Sequence, residues 1–181
     1  RALVQEIVGF KLRGWAQLVK MCARRSRAFE FRLRDKHMKI CHAPNSRSVR
    51  IIWLFEELGL PYELEVYKLG DREMRGPDHL KRHPLGRVPV LEDGHETIFE
   101  SGAIVQYVLA KYGDGALVPK PDDPEFGTYL QWFHYAEGML MPPINTIVVE
   151  TLFLSEERRN QVNIDRATKL LQRMVEAADA H

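Results

Sequence analysis

Cysteine is scarce and long apolar runs are missing. Two cysteines stand among 181 residues, Cys22 and Cys41, too far apart for a C-x-x-C pair. A disulfide framework is therefore excluded as the organising force, and a reducing, cytoplasmic setting is expected. No Cys/His spacing suits zinc, so no metal is expected. No stretch approaches the roughly 20 apolar residues that span a bilayer, so no membrane partner is expected. Net charge is small as well, at +1, but it is unevenly spread. Residues 1–37 carry ten Lys/Arg against three Asp/Glu, a charge of +7, and the remainder sums to −6. An acidic globular part argues against nucleic acid as its partner. What the chain does have is 45% hydrophobic residues, enough to pack one or two domains.

Residues 1–37 read as a basic extension of unknown role. The sequence opens on Arg1 rather than Met, and Leu3, Val4, Ile7, Val8, Leu12, Trp15, Leu18 and Val19 recur at roughly helical spacing. Residues 38–115 form the first expected domain. Lys39–His42 reads as a strand and Ala43-Pro44-Asn45 as a turn. Ser46–Leu58 reads as a helix capped by Ser46, with Val49, Ile52, Trp53 and Phe55 on its apolar face and Gly59 past its end. The alternation from Tyr62 to Tyr67 suits a second strand. Gly70–His83 is polar, with room for a short irregular helix. Val88–Glu92, a turn at Asp93-Gly94 and Thr97–Phe99 then form a hairpin that feeds a helix to Tyr112. The order β-α-β-(α)-β-β-α is thioredoxin-like, within an α/β plus all-α chain. Gly113–Pro124, with two Gly and three Pro, reads as a linker. Residues 116–181 form a partial helical domain, with a long helix over Glu125–Leu154 that must kink or break at Pro142-Pro143. Its second helix, Glu156–Ala178, carries the stripe Ala167, Leu170, Leu171, Met174, Val175 and Ala178.

Three corners of the first domain carry chemistry. Ser46 stands where the first strand hands over to the first helix. A hydroxyl donor there, with the positive end of a helix, suits the stabilisation of a thiolate. With no C-x-x-C at this corner the thiol has to arrive with a co-substrate. Val88-Pro89 opens a strand, where a proline is tolerated. Glu100-Ser101 ends a strand and starts a helix, and a helix N-terminus receives a carboxylate well. His79, His83 and His95 have no evident partners and read as loop or surface residues. Cys41 on the first strand reads as buried and inert.

Taken in order, His42-Ala43-Pro44-Asn45-Ser46-Arg47-Ser48-Val49-Arg50, His83-Pro84-Leu85-Gly86-Arg87-Val88-Pro89-Val90-Leu91 and Phe99-Glu100-Ser101-Gly102-Ala103-Ile104 resemble the motifs of the cytosolic glutathione transferases. The likeness runs from Met38 to the C-terminus and looks closest to bacterial members of the serine or cysteine type. It implies that glutathione is the co-substrate and that its thiolate attacks an electrophilic small molecule, a detoxification chemistry. Ser46 is the implied thiol partner, four residues before Arg50, with Ser48 and Asn45 as alternatives. Arg47 departs from the cysteine-type pattern. Arg87 is implied at the glycyl carboxylate, Val88 pairs its backbone with the cysteinyl part beside a cis Pro89, and Glu100 and Ser101 hold the γ-glutamyl end. Trp132, His134 and Tyr135 lie on the helix that borders the electrophile site in the family. The resemblance also implies a homodimer. A binding or scaffold module without turnover, and a glutathione-dependent disulfide reductase, are the alternatives. The family continues past the last helix seen here with a capping box and a central helix, so Leu170, Leu171, Met174 and Val175 are expected to be partly exposed.

Overall fold

A computed structural model describes residues 38–181, and the basic extension over 1–37 lies outside the described residues. The chain divides into two compact units between Leu117 and Val118. In the first, β1 (Met38–His42), α1 (Val49–Leu58), β2 (Glu63–Val66), a 3-10 turn (Arg72–Arg75), α2 (Pro77–Arg82), β3 (Val90–Asp93), β4 (Glu96–Phe99) and α3 (Ser101–Tyr112) follow in order. The sheet order is β2-β1-β3-β4. β1 and β2 are parallel, while β3 runs antiparallel to both β1 and β4. This is the thioredoxin-like arrangement expected from the element order.

Alternation along the strands separates two faces. Ile40 and Leu91 pair in register and are fully buried, as are Ile51, Leu54 and Phe55 of α1 and Ile104 and Val108 of α3. Cys41, Ala43, Tyr67, Met74 and Val90 form a second cluster, with Val88 packed on it. α1 packs against α3. Gly59 ends α1 in the left-handed region (φ 57°, ψ 39°), and the Leu60 N–H returns to the Phe55 carbonyl at 2.8 Å.

α1 begins at Val49, not Ser46. Its buried stripe is Ile51, Leu54, Phe55 and Leu58, while Val49 and Trp53 are exposed. That set follows i, i+3, i+4, i+7 and fits the helical template better than the face read from sequence. The hairpin turns through Gly94-His95, with Gly94 at φ 64°.

The second unit holds α4 (Phe126–Tyr135), a π-helical turn (Ala136–Leu140), α5 (Met141–Val148), a second π-helical turn (Val149–Phe153), a 3-10 turn (Glu156–Arg158) and α6 (Gln161–Asp179). Pro142-Pro143 interrupts the regular helix without ending the first helical run. Just before it the Met141 N–H bonds the Ala136 carbonyl five residues back. The wider turn absorbs the register change that two prolines at the start of α5 would otherwise force. α6 begins later than Glu156 because Asn160 caps it, accepting from the Asn163 N–H at 3.2 Å. Glu150 fixes that cap by accepting from the Asn160 N–H at 2.8 Å and the Asn163 amide at 3.1 Å. Of the expected stripe, Ala167 and Leu171 are buried, Met174 is half-buried and Leu170, Val175 and Ala178 are exposed.

Candidate functional site

The register of the sheet gathers the three chemical corners at one edge. Cys41 pairs with Val90, and Val90 pairs with Phe99. Just beyond that row the chain enters the 43–48 turn after β1, the Val88-Pro89 pair before β3 and the Glu100-Ser101 pair after β4. Residues 41, 90 and 99 are far apart in sequence, so pairing brings these segments together where sequence order does not.

At the first corner, residues 44–48 form turns rather than helix. Ser46 does not cap α1 with its side chain. Its Oγ lies 2.7 Å from the Ala43 carbonyl and 2.6 Å from Ser48 Oγ, and it accepts the Ser48 N–H at 3.3 Å. This local turn competes with helix and delays its start. Ser48 is fully buried; its Oγ also meets His42 Nδ1 at 2.8 Å and the Ala43 N–H at 3.2 Å. Ser46 is half-buried, and Asn45 is exposed at φ 60°. Among the described residues, then, Ser46 and Asn45 reach the surface of this corner and Ser48 stands behind Ser46. Burial lowers the pKa of half-buried His42.

The second corner is built on two histidines, which the structure places inside and not on the surface. His79 is buried, packs its ring against Tyr67 at 4.8 Å between centroids with the planes tilted by 52°, and holds the Arg87 carbonyl through Nε2 at 2.9 Å. That bond makes Nε2 the donor, and Nδ1 has no partner among the described residues. His83 is also buried; its Nδ1 accepts the Leu85 N–H at 3.2 Å and its ring lies 4.6 Å from that of Phe99. Burial, with smaller help from His79, lowers the pKa of His83. Gly86, three residues past His83, sits at φ 59°, where a Cβ would come within 2.3 Å of the Met74 carbonyl oxygen. The Val88-Pro89 bond is cis. Val88 is half-buried, Pro89 buried and the Arg87 side chain exposed. His95 is exposed on its turn.

At the third corner Ser101 is buried as the first residue of α3, and Glu100 precedes it with an exposed side chain. Glu100 adopts φ 73°, ψ 113°, a region costly for a residue with a Cβ. No side chain caps α3, so its first N–H groups are open to a ligand.

A polar cluster centres on Cys41, the β1 member of that same row. Cys41 Sγ, Glu65 and Glu92 bring ligand atoms within 4.8 Å of one another, but cations are already there. Arg82 Nη1 donates to Cys41 Sγ at 3.1 Å and Glu65 Oε2 at 2.8 Å, and Lys39 Nζ stands 3.7 Å from both carboxylates. The Arg82 bond leads in holding Glu65 down at about 2. Burial raises the Cys41 thiol, which keeps it protonated and a poor nucleophile. In the second unit, Trp132 meets Tyr135 edge-on at 4.9 Å between ring centroids and the Tyr135 hydroxyl donates to the Met174 carbonyl at 2.9 Å, a packing role; His134 is exposed.

Comparison with known proteins bears on these corners. Residues 37–110 match the family described as glutathione S-transferase, N-terminal domain. Glutathione S-transferase 3 of Schizosaccharomyces pombe is 41% identical over 101 residues, 56% of this chain and 41% of that protein. Glutathione S-transferase 4 of Zea mays is 38% identical over 140 residues, 72% of this chain and 59% of that one. The chain thus spans about half the length of these curated relatives. Among solved structures, glutathione transferase URE2P8 from Phanerochaete chrysosporium, with oxidized glutathione, superposes with a TM-score of 0.72 at 26% identity, covering 81% of this chain and 67% of that one. The theta class glutathione S-transferase from Xanthomonas axonopodis pv. citri, with glutathione bound, gives 0.69 at 27%, covering 79% and 69%.

Proposed function

We propose that the chain is a glutathione transferase, a reading supported by the match of residues 37–110 to that family's N-terminal domain and by the relatives above, and that it binds glutathione across the three corners and presents its thiolate to an electrophilic small molecule. The observation that carries this reading is the shared row Cys41–Val90–Phe99, which sets a hydroxyl, an open strand start and an open helix N-terminus at one sheet edge. The γ-glutamyl carboxylate meets the Ser101 hydroxyl and the free N–H groups of α3, where the helix dipole favours an anion. Glu100 pairs with the γ-glutamyl ammonium. The Val88 backbone pairs with the cysteinyl part as an added strand would, and the exposed Arg87 takes the glycyl carboxylate.

Ser46 donates its hydroxyl hydrogen to the sulfur. A charge-assisted bond of this kind favours the thiolate by roughly 1.5–3 kcal/mol, and the thiolate, not the thiol, is the nucleophile. The thiol proton leaves to water, and the new bond forms between sulfur and the electrophilic carbon as that carbon's leaving group departs. The protein acts as a cytoplasmic homodimer in detoxification.

A second reading, a binding module without turnover, is favoured by one observation: the Ser46 proton already has the Ala43 carbonyl at 2.7 Å. Calorimetric titration with glutathione followed by a conjugation assay with an aryl halide separates the two. Binding with glutathione-dependent product supports the transferase. Binding with no product supports the module, and no binding removes both.

A further inference from the structure

The polar contacts behind Ser46 fix the direction of their own hydrogens. Three short contacts run in a line: His42 Nδ1 to Ser48 Oγ at 2.8 Å, Ser48 Oγ to Ser46 Oγ at 2.6 Å, and Ser46 Oγ to the Ala43 carbonyl at 2.7 Å. Each hydroxyl has one hydrogen and the carbonyl has none. The last contact therefore uses the Ser46 hydrogen. The middle contact must then use that of Ser48, and the first must use a hydrogen on His42 Nδ1. No other assignment gives every short contact its own hydrogen. The remaining neighbours fit: the Ala43 N–H at 3.2 Å donates into Ser48, and the Ser48 N–H at 3.3 Å donates into Ser46. The sequence motif contained His42 but gave it no role.

We propose that His42 is a positioning residue for the bound thiolate, acting through Ser48 to hold Ser46 as a hydrogen-bond donor. This rests on the reading that Ser46 meets the glutathione sulfur. When sulfur arrives, the Ser46 hydrogen turns from the Ala43 carbonyl to the sulfur, while the Ser48 hydrogen still points into Ser46 Oγ and the His42 hydrogen into Ser48 Oγ. A hydroxyl that is itself accepting from a donor is the stronger donor, because bonds in a chain polarise one another. Ser48 is fully buried, so water cannot replace His42 as its upstream donor. Without the ring, Ser48 Oγ keeps only the longer bond from the Ala43 N–H at 3.2 Å, its hydrogen can turn to the Ala43 carbonyl at 3.3 Å, and the supply to Ser46 weakens.

The test is the pKa of the thiol in the glutathione complex, read from thiolate absorbance, in the wild type, His42→Leu, Ser48→Ala, the double variant and His42→Asn. Each single change is expected to raise that pKa by about 0.5 unit, roughly a threefold loss of thiolate near neutral pH. The double variant should be no worse than either single one, because both break one chain. His42→Asn, whose amide nitrogen can stand in for Nδ1, should restore the wild-type value. A purely structural role would move melting temperature and glutathione affinity but not this pattern. Wild-type thiol pKa in His42→Leu, or additive effects in the double variant, overturns the proposal while the assignment of Ser46 stands. No change in Ser46→Ala would instead remove the reading beneath it. If Ser48→Ala does not fold, the half-buried His42 variants decide alone, and failure of Asn to rescue Leu overturns the proposal.

Discussion

Glu100 should trade stability for binding. Its backbone sits at φ 73°, ψ 113°, and holding a residue with a Cβ in such a region costs on the order of 1–3 kcal/mol. Glycine adopts that geometry without the clash. Against the relief stand two smaller losses. A glycine costs about 0.4–1 kcal/mol of extra chain entropy, and an acid at a helix N-terminus contributes about 0.3–1 kcal/mol. The Glu100 side chain is exposed, so little packing is lost. Glu100→Gly is therefore expected to gain about 1 kcal/mol, which raises Tm by roughly 2–4 °C in a chain of this size. The same change deletes the carboxylate proposed to pair with the γ-glutamyl ammonium. Losing one charged hydrogen bond of about 1.5–3 kcal/mol weakens glutathione binding about ten- to a hundredfold. Glu100→Gln keeps the strain and removes the charge, so it should lose affinity without gaining stability. Thermal melts and calorimetry on the three proteins decide the matter. A less stable Glu100→Gly with unchanged affinity would refute both the strain and the contact.

Ser46→Ala should raise the pKa of the bound thiol by about 1–2 units while glutathione affinity changes little, and a larger effect from Asn45→Ala would move the assignment to Asn45. Ser101→Ala should weaken glutathione binding in calorimetry yet leave measurable affinity, because the α3 N–H groups remain; equal affinity returns Ser101 to a packing role. Gly86→Ala meets the Met74 carbonyl oxygen at 2.3 Å in a left-handed backbone and should cost about 3 kcal/mol or more, seen as a lower denaturation midpoint and lost glutathione binding together. Glu65, with its pKa depressed to about 2 chiefly by Arg82, contributes stability that is present above its unfolded value of about 4.3. That contribution is lost as pH falls from there through about 2, and Glu65→Gln should flatten this part of an acid denaturation curve.

Local signals in the sequence were strong where they stood alone. Gly59 marks the end of α1 because its left-handed backbone needs no tertiary help. The hairpin about Gly94 and the element order of the first unit follow from alternation and turn chemistry. The cis Val88-Pro89 bond was implied by the family likeness rather than by composition. What sequence did not give depends on residues far away. His79 and His83 looked like polar loop residues; the Arg87 carbonyl and the Phe99 ring bring them inside. Ser46 looked like a helix cap, yet the Ala43 carbonyl and Ser48 hold it in a turn. Pro142-Pro143 marks a kink or break, and the regular helix is indeed interrupted there, but the π-helical turn over Ala136–Leu140 that carries the interruption was not legible. The start of α6 is set by Glu150, ten residues before the Asn160 it clamps.

The most direct measurement of the central claim is a pH titration of thiolate absorbance for glutathione bound to the chain. A free thiol titrates at about 8.5. The account predicts a complex whose thiol titrates about 1–2 units lower, with that drop lost in Ser46→Ala. A bound thiol that titrates at its free value, or a chain that does not bind glutathione at all, would contradict it.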